Sequence, residues 1–91
     1  MLTAVIVTYN RKELLSQNIE MLLKQTMTVD SIIIVDNCSS DGTYEYLKNC
    51  GWTTEPFLYL KTETNIGGAG GFYTGVKAAY EAGADWIVLM D

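Results

Sequence analysis

Two stretches of this sequence, Thr3-Ala4-Val5-Ile6-Val7-Thr8 and Ser31-Ile32-Ile33-Ile34-Val35-Asp36, are apolar or β-branched almost throughout and too short to be helices. A strand that is apolar at successive positions is covered on both faces, as in the centre of a parallel sheet and unlike a hairpin with one wet side. Between the two stretches, Leu15, Ile19, Leu22 and Leu23 recur at helical spacing up to about Gln25. Asn10 stands where it could cap this helix, with Glu13 three positions on in a capping-box-like arrangement. Strand, helix and parallel strand in that order require a crossover, and crossovers of this kind are right-handed.

The same alternation continues to the end of the chain. Asn37-Cys38-Ser39-Ser40-Asp41-Gly42 breaks the second strand with turn-forming residues, and a short helix from about Thr43 to Asn49 follows, with Tyr44, Leu47 and Cys50 inward and Gly51 as its stop. A weaker strand is expected at Phe57 to Lys61, where the preceding Pro56 suits an edge position. Asn65-Ile66-Gly67-Gly68-Ala69-Gly70-Gly71 reads as a glycine-rich loop opening a helix from about Gly71 to Ala82, with Phe72, Val76, Ala79 and Tyr80 at helical spacing and Gly83 ending it. Trp86 to Met90 reads as a fourth buried strand, with Trp86 in the core. The order predicts an α/β chain: a three-layer α/β/α, Rossmann-like unit around a mostly parallel four-stranded sheet.

Ninety-one residues allow one domain, and an apolar fraction of 48% with 19% charged residues is ordinary for a folded one. The net charge of −5 offers no basic patch for a phosphate backbone, so nucleic acid is not an expected partner. Histidine is absent, which removes Ser-His-Asp triads and histidine-ligated metals. Cys38 and Cys50 have no spacing that suggests a zinc site or a disulfide framework. No apolar run approaches the roughly 20 residues of a membrane span, and a cytoplasmic location is expected, with membrane association left to a C-terminal part.

In doubly wound sheets, ligands bind beyond the carboxyl ends of the strands, where strand order reverses. Those ends carry Asn10, Asp36, Asn65 with its glycines, and Asp91. The Asp36 carboxylate could accept from a pyrimidine ring N–H or from ribose hydroxyls, or it could cap the Ser39-Ser40 turn. Asp41 is expected to cap the second helix. The glycines let backbone approach a nucleotide and aim helix N–H groups at negative charge. They do not fall in the G-x-G-x-x-G register, and no P-loop lysine follows them. Asp91 alone cannot hold Mg²⁺ or Mn²⁺ without further donors.

Together Val7-Thr8-Tyr9-Asn10-Arg11, Ile34-Val35-Asp36-Asn37-Cys38-Ser39-Ser40-Asp41-Gly42-Thr43, Asn65-Ile66-Gly67-Gly68-Ala69-Gly70-Gly71-Phe72 and Ala84-Asp85-Trp86-Ile87-Val88-Leu89-Met90-Asp91 resemble glycosyltransferase family 2, inverting enzymes of the GT-A fold. The resemblance spans essentially the whole chain and leans toward the rhamnosyltransferase and galactofuranosyltransferase branches. It implies a parent enzyme that transfers a sugar from a UDP- or dTDP-linked donor to a glycan or lipid-linked acceptor in polysaccharide or glycoconjugate synthesis. It further implies that Thr8, Tyr9 and Asn10 line the base pocket, that Asp36 bonds the base, and that Asn65, Gly67 and Gly68 run along the nucleoside. Asp91 would open an Asp-x-Asp motif for Mg²⁺ or Mn²⁺. The arginine that many members carry after the glycine loop is replaced by Gly71-Phe72-Tyr73-Thr74, leaving the diphosphate without a named cation.

Residues 1–91 are thus expected to be the N-terminal nucleotide-sugar-binding part of a transferase domain, with the catalytic base downstream and with apolar surface that favours self-association. A non-catalytic nucleotide-binding or interaction module is the competing reading; a phosphoacceptor receiver is set aside, because Thr8-Tyr9-Asn10 replaces its acidic cluster. The chain alone is expected to show no sugar transfer, and turnover with Mn²⁺ and a nucleotide sugar above that of an Asp36 variant would overturn this.

Overall fold

Leu2–Thr8 (β1) and Ser31–Asp36 (β2) lie side by side in parallel, paired from Thr3 opposite Ser31 to Thr8 opposite Asp36. The computed structural model describes residues 1–25 and 29–90. Phe57–Lys61 (β3) pairs in parallel with β2 and Trp86–Met90 (β4) with β1, giving one sheet in the order β3-β2-β1-β4. The helices are Lys12–Lys24 (α1), Thr43–Asn49 (α2) and Gly67–Glu81 (α3). Strand order grows outward from β1 through β3 and then reverses to place β4 on the other side of β1. None of the helices is long and apolar enough to cross a membrane, among the described residues.

Alternate residues of the two central strands feed two cores, as the period of a strand requires. Ala4, Ile6, Ile32 and Ile34 pack with Leu15, Ile19 and Leu22 of α1 and Leu47 of α2. On the opposite face Val5, Val7, Ile33 and Val35 pack with Ala79 of α3. The layers are therefore α1 and α2, the sheet, and α3, as the sequence pattern predicts. The edge position of β3 after Pro56 also agrees.

The seating of α3 differs from the expectation. It begins at Gly67, four residues before the predicted start, so the glycines belong to the helix and not to a loop ahead of it. Its buried stripe is Gly71, Gly75 and Ala79, whereas Tyr80 points out at 78% exposure. A Cβ on Gly71 would lie 2.6 Å from Val7 Cγ1, and one on Gly75 would lie 2.3 Å from Val5 Cγ1. At that approach only glycine fits beneath the helix, and larger residues are pushed to its flanks.

β4 is not the buried strand expected: Trp86 is 74% exposed, and Val88 and Leu89 are also exposed. Among the described residues it is an edge strand, with Met90 packed on the α1 and α2 face and Ile87 on the α3 face. Leu23 and Tyr44, expected inward, are likewise exposed, and so is Cys50.

These contacts separate two kinds of glycine. Gly75→Ala should destabilise the fold by about 1–3 kcal/mol through overpacking against Val5. A methyl group on Gly68 would meet nothing within 4 Å, and the residue lies in the helix, so Gly68→Ala should raise stability by up to about 1 kcal/mol. Urea unfolding midpoints of the two variants check the contrast, and equal midpoints would contradict it.

Candidate functional site

The reversal of strand order leaves a crevice at the carboxyl end of β1. Among the described residues β1 pairs with β4 from Leu2 opposite Trp86 to Ile6 opposite Met90, and Val7 and Thr8 complete β1. Here a cavity of about 250 Å³ opens, with Thr8, Tyr9, Arg11, Asn37, Asn65, Gly67 and Gly68 in its walls and Val7, Leu14 and Leu15 adding apolar surface. Five of the residues expected from the sequence, Thr8, Tyr9, Asn65, Gly67 and Gly68, therefore come together. Tyr9 is 45% exposed. Gly67, at φ +77°, and Gly68 meet no side chain where a Cβ would stand, so their backbone faces open space. Asn65 Oδ1 accepts from Gly67 N–H at 2.8 Å, fixing the turn into α3. The first-turn amides of a helix have no intrahelical acceptor, which makes this end a donor surface for anions.

The cavity also takes in Asn37 and Arg11, to which the sequence reading gives no role of their own. Asn37, only 3% exposed, donates from Nδ2 to the Gly67 carbonyl at 2.9 Å and so ties the end of β2 to the start of α3. Its Oδ1 lies 3.3 Å from Thr62 Oγ1, whose shorter bond, 2.6 Å, goes to the Thr64 carbonyl, so Asn37 retains acceptor capacity. Arg11 is exposed at the cavity and forms no ion pair among the described residues. Its position directly before the first helix was the available signal.

Asp36 and Asn10 are placed differently. Asp36 is 1% exposed; Oδ1 accepts from Ser39 N–H at 2.9 Å and Oδ2 from the Tyr59 hydroxyl at 2.5 Å. It borders a separate groove with Ser39, Ser40, Thr43, Tyr44 and Tyr59, and Tyr44 and Tyr59 have ring centroids 5.1 Å apart. Burial, and then the bond to Asp36, pushes the Tyr59 hydroxyl far above its ordinary value, so it stays protonated and donating. Asn10 does not cap α1. Its backbone is left-handed at φ 50°, its N–H donates to Ser39 Oγ, and its Oδ1 accepts from Ser40 N–H.

Asp41 serves the starts of two helices. The residue before α2 is Gly42, at φ 82°, with no side-chain cap. Asp41, one residue earlier, accepts from the hydroxyl and backbone N–H of Thr43 at the start of α2 and, across the rim, from Lys12 N–H at 3.2 Å at the start of α1. Asp91 lies outside the described residues. Among the described residues no group of three acidic, cysteine or histidine side chains could hold a metal, so they do not by themselves form a site for Mg²⁺ or Mn²⁺.

Residues 3–91 match the sequence model of glycosyl transferase family 2. The chain belongs to this family. It is 39% identical over 88 residues to galactofuranosyltransferase GlfT1 of Mycolicibacterium smegmatis, a match that covers 97% of this chain and 28% of that protein. The corresponding protein of Mycobacterium tuberculosis is 38% identical over 90 residues, with 97% and 29% covered. A UDP-N-acetylglucosamine–dolichyl-phosphate N-acetylglucosaminyltransferase of Methanococcus voltae is 32% identical over 99 residues, with 96% and 39% covered. Among solved structures, the mannosyltransferase PcManGT of Pyrobaculum calidifontis, in complex with GDP-Man and Mn²⁺, superposes with a TM-score of 0.75 at 22% identity over 86% of this chain and 24% of that one, which supports the GT-A fold. The chain thus spans under a third of the length of the galactofuranosyltransferases it matches. The motifs quoted above point to this family; of the two branches they lean toward, rhamnosyltransferase and galactofuranosyltransferase, the second is represented among these relatives.

Asp41 is a pH-sensitive member of the rim. Desolvation, the largest single influence, opposes its ionisation, yet the bonds from Thr43 and the Lys12 N–H together hold its carboxyl below the ordinary 3.8. A carboxyl lowered in the folded state stabilises the fold above its unfolded pKa and loses that contribution as pH falls through the folded value. Asp41→Asn should therefore lose less melting temperature than the parent between pH 5 and pH 2. Parallel melting curves for the two proteins over that range would contradict the assignment.

Proposed function

We propose that the crevice at the end of β1 holds the nucleoside diphosphate of a sugar nucleotide, as the donor side of a family 2 glycosyltransferase. The convergence of Tyr9, Arg11, Asn37, Gly67 and Gly68 on one cavity at the strand-order reversal carries this reading.

In this reading the base lies on the Tyr9 ring, with Thr8 beside it. Asn37 Oδ1 accepts from the ring N–H, a contact that uracil and thymine both satisfy. The diphosphate meets the Arg11 guanidinium and the first-turn amides of α3, where Gly67 and Gly68 leave the backbone bare. Arg11 thereby supplies the cation missing after the glycine helix start. Asp36 supports the rim from beneath by holding the Ser39 amide, and its contribution to nucleotide binding is indirect.

Transfer of the sugar to an acceptor hydroxyl, with inversion, belongs to the whole protein. A bound divalent cation would neutralise charge on the departing diphosphate, with Asp91 as one donor and the others outside the described residues.

Calorimetric titration with UDP and dTDP, with and without Mn²⁺, tests the reading. Arg11→Gln removes a charged hydrogen bond worth about 1.5–3 kcal/mol, so affinity should fall roughly 10- to 100-fold. Asn37→Ala should weaken both ligands alike. Binding that survives both substitutions, or that needs the Tyr44 and Tyr59 groove instead, would refute the placement.

A further inference from the structure

Asn10 is absent from the walls of the cavity, yet it stands between Tyr9 and Arg11, which both line it. Its φ of 50° is a left-handed conformation that asparagine tolerates better than other side chains apart from glycine. The turn is held by a loop about thirty residues away in sequence. Asn10 N–H donates to Ser39 Oγ at 2.8 Å, and Ser40 N–H donates to Asn10 Oδ1 at 2.7 Å. Two residues on, Lys12 N–H reaches Asp41 in the same loop. That loop is anchored in turn, since Ser39 N–H donates to the buried Asp36, which also accepts the Tyr59 hydroxyl from β3. A continuous line of hydrogen bonds therefore runs from β3 through Asp36 and Ser39 to Asn10.

We propose that Asn10 is a positioning residue: its reciprocal bonds with Ser39 and Ser40 fix the left-handed turn that directs Tyr9 and Arg11 into the cavity. The consequence for affinity rests on the nucleotide reading above, whereas the turn itself is independent of any ligand. A side chain that merely added stability would act on the fold as a whole. One that sets this turn acts on its two neighbours.

Asn10→Gly keeps the left-handed backbone available and removes the acceptor oxygen, while Asn10→Asp keeps both. In the full chain, amide hydrogen exchange at Ser40 should quicken at least tenfold in Asn10→Gly and return toward the parent rate in Asn10→Asp. UDP affinity should fall about fivefold or more in Asn10→Gly. In a chain already carrying Tyr9→Ala and Arg11→Gln, the same substitution should change UDP affinity less than twofold. Unchanged Ser40 exchange in Asn10→Gly overturns the proposal, as does a full, additive loss of affinity in the doubly substituted chain. If the parent binds no UDP while Ser40 exchange responds as described, the turn-fixing role stands and the nucleotide reading falls.

Discussion

The backbone of α3 lies on the ends of β1 and β2 at a distance only glycine permits, and the rest of the site follows from that approach. Gly71 sits over Val7 and Gly75 over Val5, with Val35 also in reach. A helix seated this low brings its first turn level with the carboxyl ends of the strands, where the Gly67 carbonyl meets Asn37 and the bare backbone of Gly68 borders the cavity. Raising α3 by the thickness of a methyl group would separate the glycine turn from Asn37 and open the core beneath it. Tight packing beneath the helix and bare backbone at the cavity are two outcomes of one choice of residue.

The opposite side of the cavity is built by a different means. The segment between β1 and α1, Tyr9 to Arg11, places no side chain in the core, and its shape comes from hydrogen bonds to the loop after β2. Asp36 is the buried root of this arrangement. Its carboxylate is satisfied on both oxygens, by an amide and by a phenol, which is the condition for keeping such a group buried. Lys12 and Asp41 close the same seam from the outside. Rim residues that look like separate motifs in the sequence are thus one hydrogen-bonded network with the cavity on one flank.

Much of the architecture is legible in the sequence because β1 and β2 are apolar at successive positions and can only be covered on both faces. The helical spacing of Leu15, Ile19 and Leu22 identifies the buried face of α1 correctly. The start of α3 is hidden, because glycine's low helix propensity reads as a loop until the sheet it packs on is known. Trp86 misleads for a related reason: an apolar run does not say whether its strand is central or at the edge, and among the described residues β4 is at the edge. Asp41 and Asn10 act on partners about thirty residues away, which local capping rules do not reach. Asp36 and Asn37 are adjacent and point to different sides of the rim, so only the fold decides which borders the cavity.

The central claim is that nucleotide binds at the end of β1, between Tyr9, Asn37 and the first turn of α3. Mapping amide chemical-shift changes in the 91-residue chain during titration with UDP tests it most directly. If nucleotide binds there, the largest changes fall at Tyr9, Arg11, Asn37, Gly67 and Gly68. Changes confined to the Ser39 to Glu45 segment and Tyr59, or none at saturating UDP, would contradict it.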